Sequence, residues 1–120
     1  MSDERIVVGI ASPWGTHRVE VSFDEATIRV ERQRQGVARS GSAAVSKDEL
    51  DALRALALGV PSDEQRLVEG DFYAMGEERL RIALEGHVVE VFNATDRIRT
   101  PRAERLVRRC WELAETVVPW

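Results

Sequence analysis

Leu80-Arg81-Ile82-Ala83-Leu84-Glu85-Gly86-His87-Val88-Val89-Glu90-Val91-Phe92 reads as two strands and the turn that joins them. Apolar residues recur at every second position on both sides of Glu85-Gly86, the period of a half-buried strand. A turn at those two residues sets Leu84 opposite His87, Ile82 opposite Val89 and Leu80 opposite Val91. The other face then carries Arg81 opposite Glu90, a favourable cross-strand pair. Two turn geometries fit. A two-residue loop would place Glu85 at positive φ, which a glutamate tolerates poorly, and a type I turn with a glycine bulge serves equally well.

The segment that follows is helical. Thr100-Pro101 supplies an N-cap and a proline at the first helical position, and Pro119 stops the helix after about Val117. Ala103, Leu106, Val107, Cys110, Leu113, Ala114 and Val117 keep a three-to-four residue spacing over four turns, so one stripe of this helix belongs to a core. Upstream, Ser46 and Glu49 form a capping box, and Val45 with Leu50 occupies the hydrophobic-staple positions. Leu50, Leu53, Leu56 and Ala57 are the buried stripe of that helix, which Gly59 and Pro61 end. A second box, Ser62 to Gln65, predicts a short helical turn to about Val68.

The N-terminal third is strand-like. Arg5 to Ser12 holds Ile6, Val7, Val8 and Ile10, a nearly continuous apolar run that predicts a central strand. Ser12-Pro13-Trp14-Gly15 is a turn. Val19, Val21 and Phe23 then alternate with Arg18, Glu20 and Ser22, and Asp24-Glu25-Ala26 turns the chain into Ile28 and Val30. Residues 33–45 are either a mobile loop or a weak fourth strand begun at Gly36, and strand is preferred because long structureless loops are uncommon in compact domains. The expectation is one α+β domain over residues 1–120, in the order βββ(β)ααββα. Its antiparallel sheet would have five or six strands, with two main helices packed on one face.

The 120 residues are 43% hydrophobic and 32% charged, on the globular side of the boundary with disorder. A chain of this length buries roughly two-thirds of its unfolded surface and needs no disulfide or metal to fold. Met1-Ser2-Asp3-Glu4-Arg5 has no apolar signal region, and no run approaches membrane length, so a cytoplasmic location is expected. The net charge of −4 argues against general affinity for nucleic acid. The charge is nonetheless segregated. Nine acids fall between Asp48 and Glu78 against Arg54 and Arg66, and six arginines fall between Arg97 and Arg109 against Glu104. Lys47 is the only lysine. That bias fits a GC-rich bacterial coding sequence, and it also fits a surface suited to bidentate pairing with carboxylates or phosphates.

No catalytic constellation is visible. His17 and His87 each follow a turn with no cysteine or carboxylate at ligand spacing, which assigns them structural or solvent roles. Cys110 lies within the apolar stripe, where a thiol behaves as a small hydrophobe. Gly36-x₄-Gly41 lacks the Lys-Ser/Thr of a phosphate loop. Glu77-Glu78 and Asp48-Glu49-Asp51 read as loop and helix-start acids. Trp111 sits at the edge of the helical stripe, whereas Trp14 and Trp120 lie outside any periodic pattern. Exposed aromatics near arginines are the composition of a binding hot spot. Arg102, Arg105 and Arg109 share one helix face, with Arg108 beside them. That face is either a solvated surface braced by Arg108 and Glu112 or a docking surface.

Residues 28–50 carry a resemblance. Ile28-Arg29-Val30-Glu31-Arg32-Gln33-Arg34-Gln35-Gly36-Val37-Ala38-Arg39-Ser40-Gly41, then an apolar residue and Glu49-Leu50-x-x-Leu53, resembles the opening of the emfourin family. Those small bacterial proteins inhibit thermolysin-like metalloproteases. The hairpin of Leu80 to Phe92 and a proline-initiated helix follow in that family's order, so the resemblance covers about residues 27–117. Gln35-Gly36 stands where the family has a double glycine, and residues 5–23 are extra. The βββαββα order also resembles a secretion chaperone without its first helix.

These observations favour a non-catalytic protein-binding domain, such as an inhibitor, immunity protein or adaptor. It would use Arg102, Arg105, Arg109, Trp14 and Trp120 to meet a partner protein with an acidic patch, without cofactor or metal. Two other classes compete. One is a nucleic-acid-binding or regulatory module using the arginines of residues 97–109. The other is a small-molecule binder or enzyme whose cleft is assembled from scattered residues.

Overall fold

The computed structural model describes residues 4–61, 76–93, 98 and 100–119. They form β1 (Arg5–Ser12), β2 (Gly15–Ser22), β3 (Thr27–Arg34), β4 (Val37–Ala44), α1 (Lys47–Leu58), β5 (Glu77–Leu84), β6 (His87–Asn93) and α2 (Pro101–Val117). The class is α+β, and the stretch over residues 37–44 is a strand. The short helical turn expected at 62–68 falls outside the described residues. All pairings in the six-stranded sheet are antiparallel, in the order β4-β3-β2-β1-β5-β6. β1 is therefore interior, as its apolar run suggests. The reason differs, since only Ile6 and Val8 are buried while Val7 faces the side that no helix among the described residues covers.

The core is laid out in lateral rows across one face of the sheet. Ile28, Val21, Ile6, Ile82 and Val89 form one row, and Val30, Val19, Val8, Leu80 and Val91 the next. These residues are almost fully buried, and so are Leu53 and Ala57 of α1 and Ala103, Leu106, Cys110 and Ala114 of α2. Two amphipathic helices on one face of a sheet leave its other face wet. Ser46 Oγ accepts from the Glu49 backbone N–H at 3.2 Å, the expected cap. The reciprocal half of the box is absent, because the Glu49 carboxylate is engaged by Arg109 of α2. Thr100 takes the N-cap position of α2, but its hydroxyl makes no cap bond.

The β5–β6 register is Leu84↔His87, Ile82↔Val89, Arg81↔Glu90 and Leu80↔Val91. The connection is the two-residue turn, with Glu85 at φ 50° and Gly86 at φ 76°. Positive φ at both central residues matches the twist of the flanking strands, and this outweighs the preference of glutamate for negative φ. The β3–β4 turn repeats the device at Gln35 and Gly36. Glu85→Asn is accordingly expected to stabilise the fold by about 1 kcal/mol, since asparagine visits the left-handed region at lower cost. Among the described residues the only side-chain contact it removes is a 3.8 Å pair with Arg54 at the surface. A thermal melt should show a rise of about 4 °C.

Candidate functional site

The sequence-expected residues divide between separate places. Arg102 and Arg105 are exposed on α2 and make no ion pair among the described residues. Arg109 is instead the bridge between the helices. Its Nε donates to Glu49 Oε2 at 3.2 Å, its Nη2 meets the other Glu49 oxygen, and its Nη1 meets Glu112 at 3.3 Å. The Glu49 hydrogen bond is the main cause of the raised Arg109 pKa. Arg108 pairs with Glu104 one turn back. Trp14 is 52% exposed, on the tight β1–β2 turn rather than on a helix. Trp120, Arg97 and Arg99 lie outside the described residues.

Alternation carries charged residues into the helix-covered face. After Ile28 and Val30 on β3 comes Arg32, and before Ile82 and Leu80 on β5 comes Glu78. With Ile10 and His17 they complete a third lateral row on the core side. Glu78 is 1% exposed, and it starts a strand rather than lying in a loop. Its Oε1 accepts from the Ile98 backbone N–H and its Oε2 from Trp111 Nε1, both at 2.8 Å. Arg32 donates to the Val118 carbonyl at 2.7 Å, to His17 Nδ1 at 3.3 Å and to Glu115 at 3.3 Å. Its guanidinium also lies 6.0 Å from the Trp111 ring centroid. These side chains hold α2 and the segment before it onto the sheet. His87 is tied in as well, its Nε2 donating to the Val60 carbonyl at 2.7 Å.

The sheet face opposite α1 and α2 holds a trench of about 950 Å³. Val7, Gly9 and Ala11 of β1 form its floor, with Arg5 on the same strand, Arg18 on β2, and Arg79 and Arg81 on β5. Arg5, Arg18, Arg79 and Arg81 share this face with Glu20, Glu31, Glu77 and Glu90, so guanidinium and carboxylate groups alternate across it, while Arg32 and Arg39 turn to the helix side. Glu20 braces the wall, receiving Arg5 at 3.0 Å and Arg18 at 3.1 Å. Burial pushes the Glu20 carboxyl up, but the hydrogen bonds and charges of Arg5 and Arg18 outweigh it and hold its pKa low. Arg79 stacks 4.6 Å from the ring centroid of Phe92, and Arg81 meets Glu90 at 3.7 Å. Exposed pairs of this kind contribute little to stability and are readily exchanged for a partner's carboxylate.

Among the described residues no group of three or more His, Cys, Asp or Glu could hold a metal ion, and no helix is long and apolar enough to cross a membrane. No protein-family model matches the chain, and no curated protein matches it in sequence. Fold and site together define an α+β domain in which, among the described residues, both helices cover one sheet face and alternating arginines and glutamates line a trench on the other.

Proposed function

We propose that the protein is a non-catalytic protein-binding domain that receives an acidic, extended segment of its partner on the open face of the sheet. The trench carries this reading: a floor of small side chains between guanidinium groups that can turn to a ligand's carboxylates. An extended chain fits such a floor, because alternate side chains can point down between the arginines. Nucleic acid fits less well. Glu20, Glu31 and Glu90 are interleaved with the arginines on this face, and no aromatic ring on the floor offers a base a stacking platform. The exposed arginines of α2, Arg102 and Arg105, form a separate basic surface, and the experiment below separates the two. An inhibitor, immunity protein or adaptor would each act this way, and the emfourin-like pattern of residues 27–117 belongs to the same class.

Fluorescence anisotropy of a labelled peptide of alternating glutamate and valine tests the proposal, with a labelled single-stranded DNA 20-mer alongside. The peptide should bind and the DNA should not at physiological salt. Arg18→Glu with Arg81→Glu should weaken peptide binding by about a hundredfold, as expected for two lost charge-assisted contacts. Arg102→Glu with Arg105→Glu should leave it unchanged. The opposite ranking of the two variants would move the interface to α2, and tighter binding of the DNA would overturn the reading.

A further inference from the structure

The outer edge of β4 is a long, regular strand edge with little to protect it. β4 pairs with β3 over eight consecutive residues without a bulge, from Arg34↔Val37 to Thr27↔Ala44. Among the described residues no strand pairs with its other side. The backbone groups that face outward follow from one bond. The Val45 N–H donates to the Ala26 carbonyl at 2.9 Å, so residues 45 and 26 are a hydrogen-bonded pair. Hydrogen-bonded pairs alternate along an antiparallel ladder, which makes Ala43, Gly41, Arg39 and Val37 the residues bonded to β3. Ala38, Ser40, Ser42 and Ala44 therefore turn their N–H and C=O groups outward.

Proteins ordinarily blunt such an edge with proline, a bulge, charged residues or a covering element. β4 has no proline, no bulge and one charge, Arg39, and seven of its eight residues are exposed. Val37, half exposed, adds an apolar side chain at one end.

We infer that β4 pairs with β4 of a second copy of this chain, in antiparallel register about Gly41, joining two six-stranded sheets into one. The observation that selects a second copy is the self-complementarity of the strand. A two-fold axis perpendicular to the sheet at Gly41 sets residue i against residue 82 − i and keeps the helices of both copies on one side. Ser40 then meets Ser42, Ala38 meets Ala44, Val37 meets Val45, and Arg39 meets Ala43. No like charges oppose one another, and Arg39, the one long side chain, meets only an alanine, so the strands can approach closely. The residue on the axis is the one that cannot carry a side chain. A Cβ on Gly41 would lie 2.9 Å from Val118 Cγ2, because the end of α2 rests directly on it. The same axis thus brings the ends of the two α2 helices side by side over Gly41. The other edge strand, β6, carries Glu90 at its centre, already paired with Arg81, and lacks this symmetry. This inference goes beyond the acidic-segment reading and does not depend on it.

Sedimentation equilibrium of the full chain is the test. The wild type should reach twice the 13.5 kDa chain mass at high micromolar concentration. Ser42→Pro removes one outward N–H without touching the ladder to β3, and should sediment as a monomer with unchanged circular dichroism. Ser40→Lys with Ser42→Lys sets lysines opposite one another only across the proposed axis, and it keeps the question decidable should the proline variant misfold. It should weaken association by about tenfold or more. Mixing it with Ser40→Glu/Ser42→Glu should restore a two-chain species. A wild type that stays at the chain mass, its edge left for another protein's strand, would overturn the inference. So would a dimer that survives the lysine substitutions, or a mixture that fails to associate.

Discussion

Glu78→Ala is expected to lower the stability of the fold by about 3 kcal/mol, since removing one partner of buried hydrogen bonds leaves the other with its full desolvation cost. For a domain of this size that is a fall of about 12 °C in Tm. Glu78 is 1% exposed, and its two oxygens receive two donors, the Ile98 backbone N–H and the Trp111 indole N–H. The Ile98 N–H belongs to the segment leading into α2, and Trp111 to the helix itself, so one carboxylate fixes the approach and the seat of α2. With alanine, both donors remain inside and neither has an acceptor. Glu78→Gln should fall between alanine and wild type. Its amide offers one acceptor oxygen, while its NH₂ group must face one of the two donors. Urea unfolding of the three proteins should therefore rank wild type, glutamine and alanine in that order. Equal midpoints would show that the carboxylate does not anchor the helix.

The same residue shows where the sequence stops being readable. The hairpin of residues 80–92 could be placed in register from its own letters, because an apolar stripe on both strands allows one matching only. The stripe of α2 was equally plain, since its spacing is local. Glu78 and Arg32 are not, because the alternation marks a strand only as far as its inward residues are apolar. Extending the period one step past Leu80 and Val30 lands on them, and a charged residue at an inward position is the signal that could have revealed the row. Their relation to each other needed more than periodicity. They share a row only because β5 comes to lie beside β1, a long-range pairing that no local pattern encodes.

The trench was hidden for a related reason. Val7, Gly9 and Ala11 look like one half of a strand buried on both faces, and only the packing of both helices on the other side leaves them as an open floor. For the arginines of α2, spacing showed that Arg102, Arg105 and Arg109 share a face. It could not show that Glu49 of α1 would reach the last of them. The fourth strand was uncertain because nothing in Val37–Ala44 is buried enough to impose a period. A strand held by backbone pairing alone leaves a faint trace in the side chains.

Cys110 is expected to be nearly inert in the folded protein and to make stability fall with alkaline pH. Burial is the main reason its thiol is pushed up from 9.0 to about 12, with the Glu49 carboxylate adding to the shift and Arg109 opposing it. Three pH units correspond to about a thousandfold less thiolate at any pH below 9, and the thiolate is the reactive species. With the sulfur also fully buried, so that a reagent must wait for the helix to open, labelling of the native chain at pH 8 should be slower than that of the urea-unfolded chain by about a hundredfold or more. The direction of the stability effect follows from the same shift. Below pH 9 both states hold the proton and the contribution is constant. Between 9 and 12 the unfolded chain releases the proton while the folded chain keeps it, so unfolding is favoured by about 1.4 kcal/mol per pH unit. From pH 8 to pH 10 the wild type should lose about 1.4 kcal/mol through this residue. Cys110→Ala should be less stable at both pH values because of the cavity it leaves, yet lack that part of the slope. Labelling of the native protein at the unfolded rate would show that the thiol is reachable, and an unaltered slope in the alanine variant would assign the alkaline loss elsewhere. If both expectations hold, the chain's one cysteine is part of the core rather than a nucleophile.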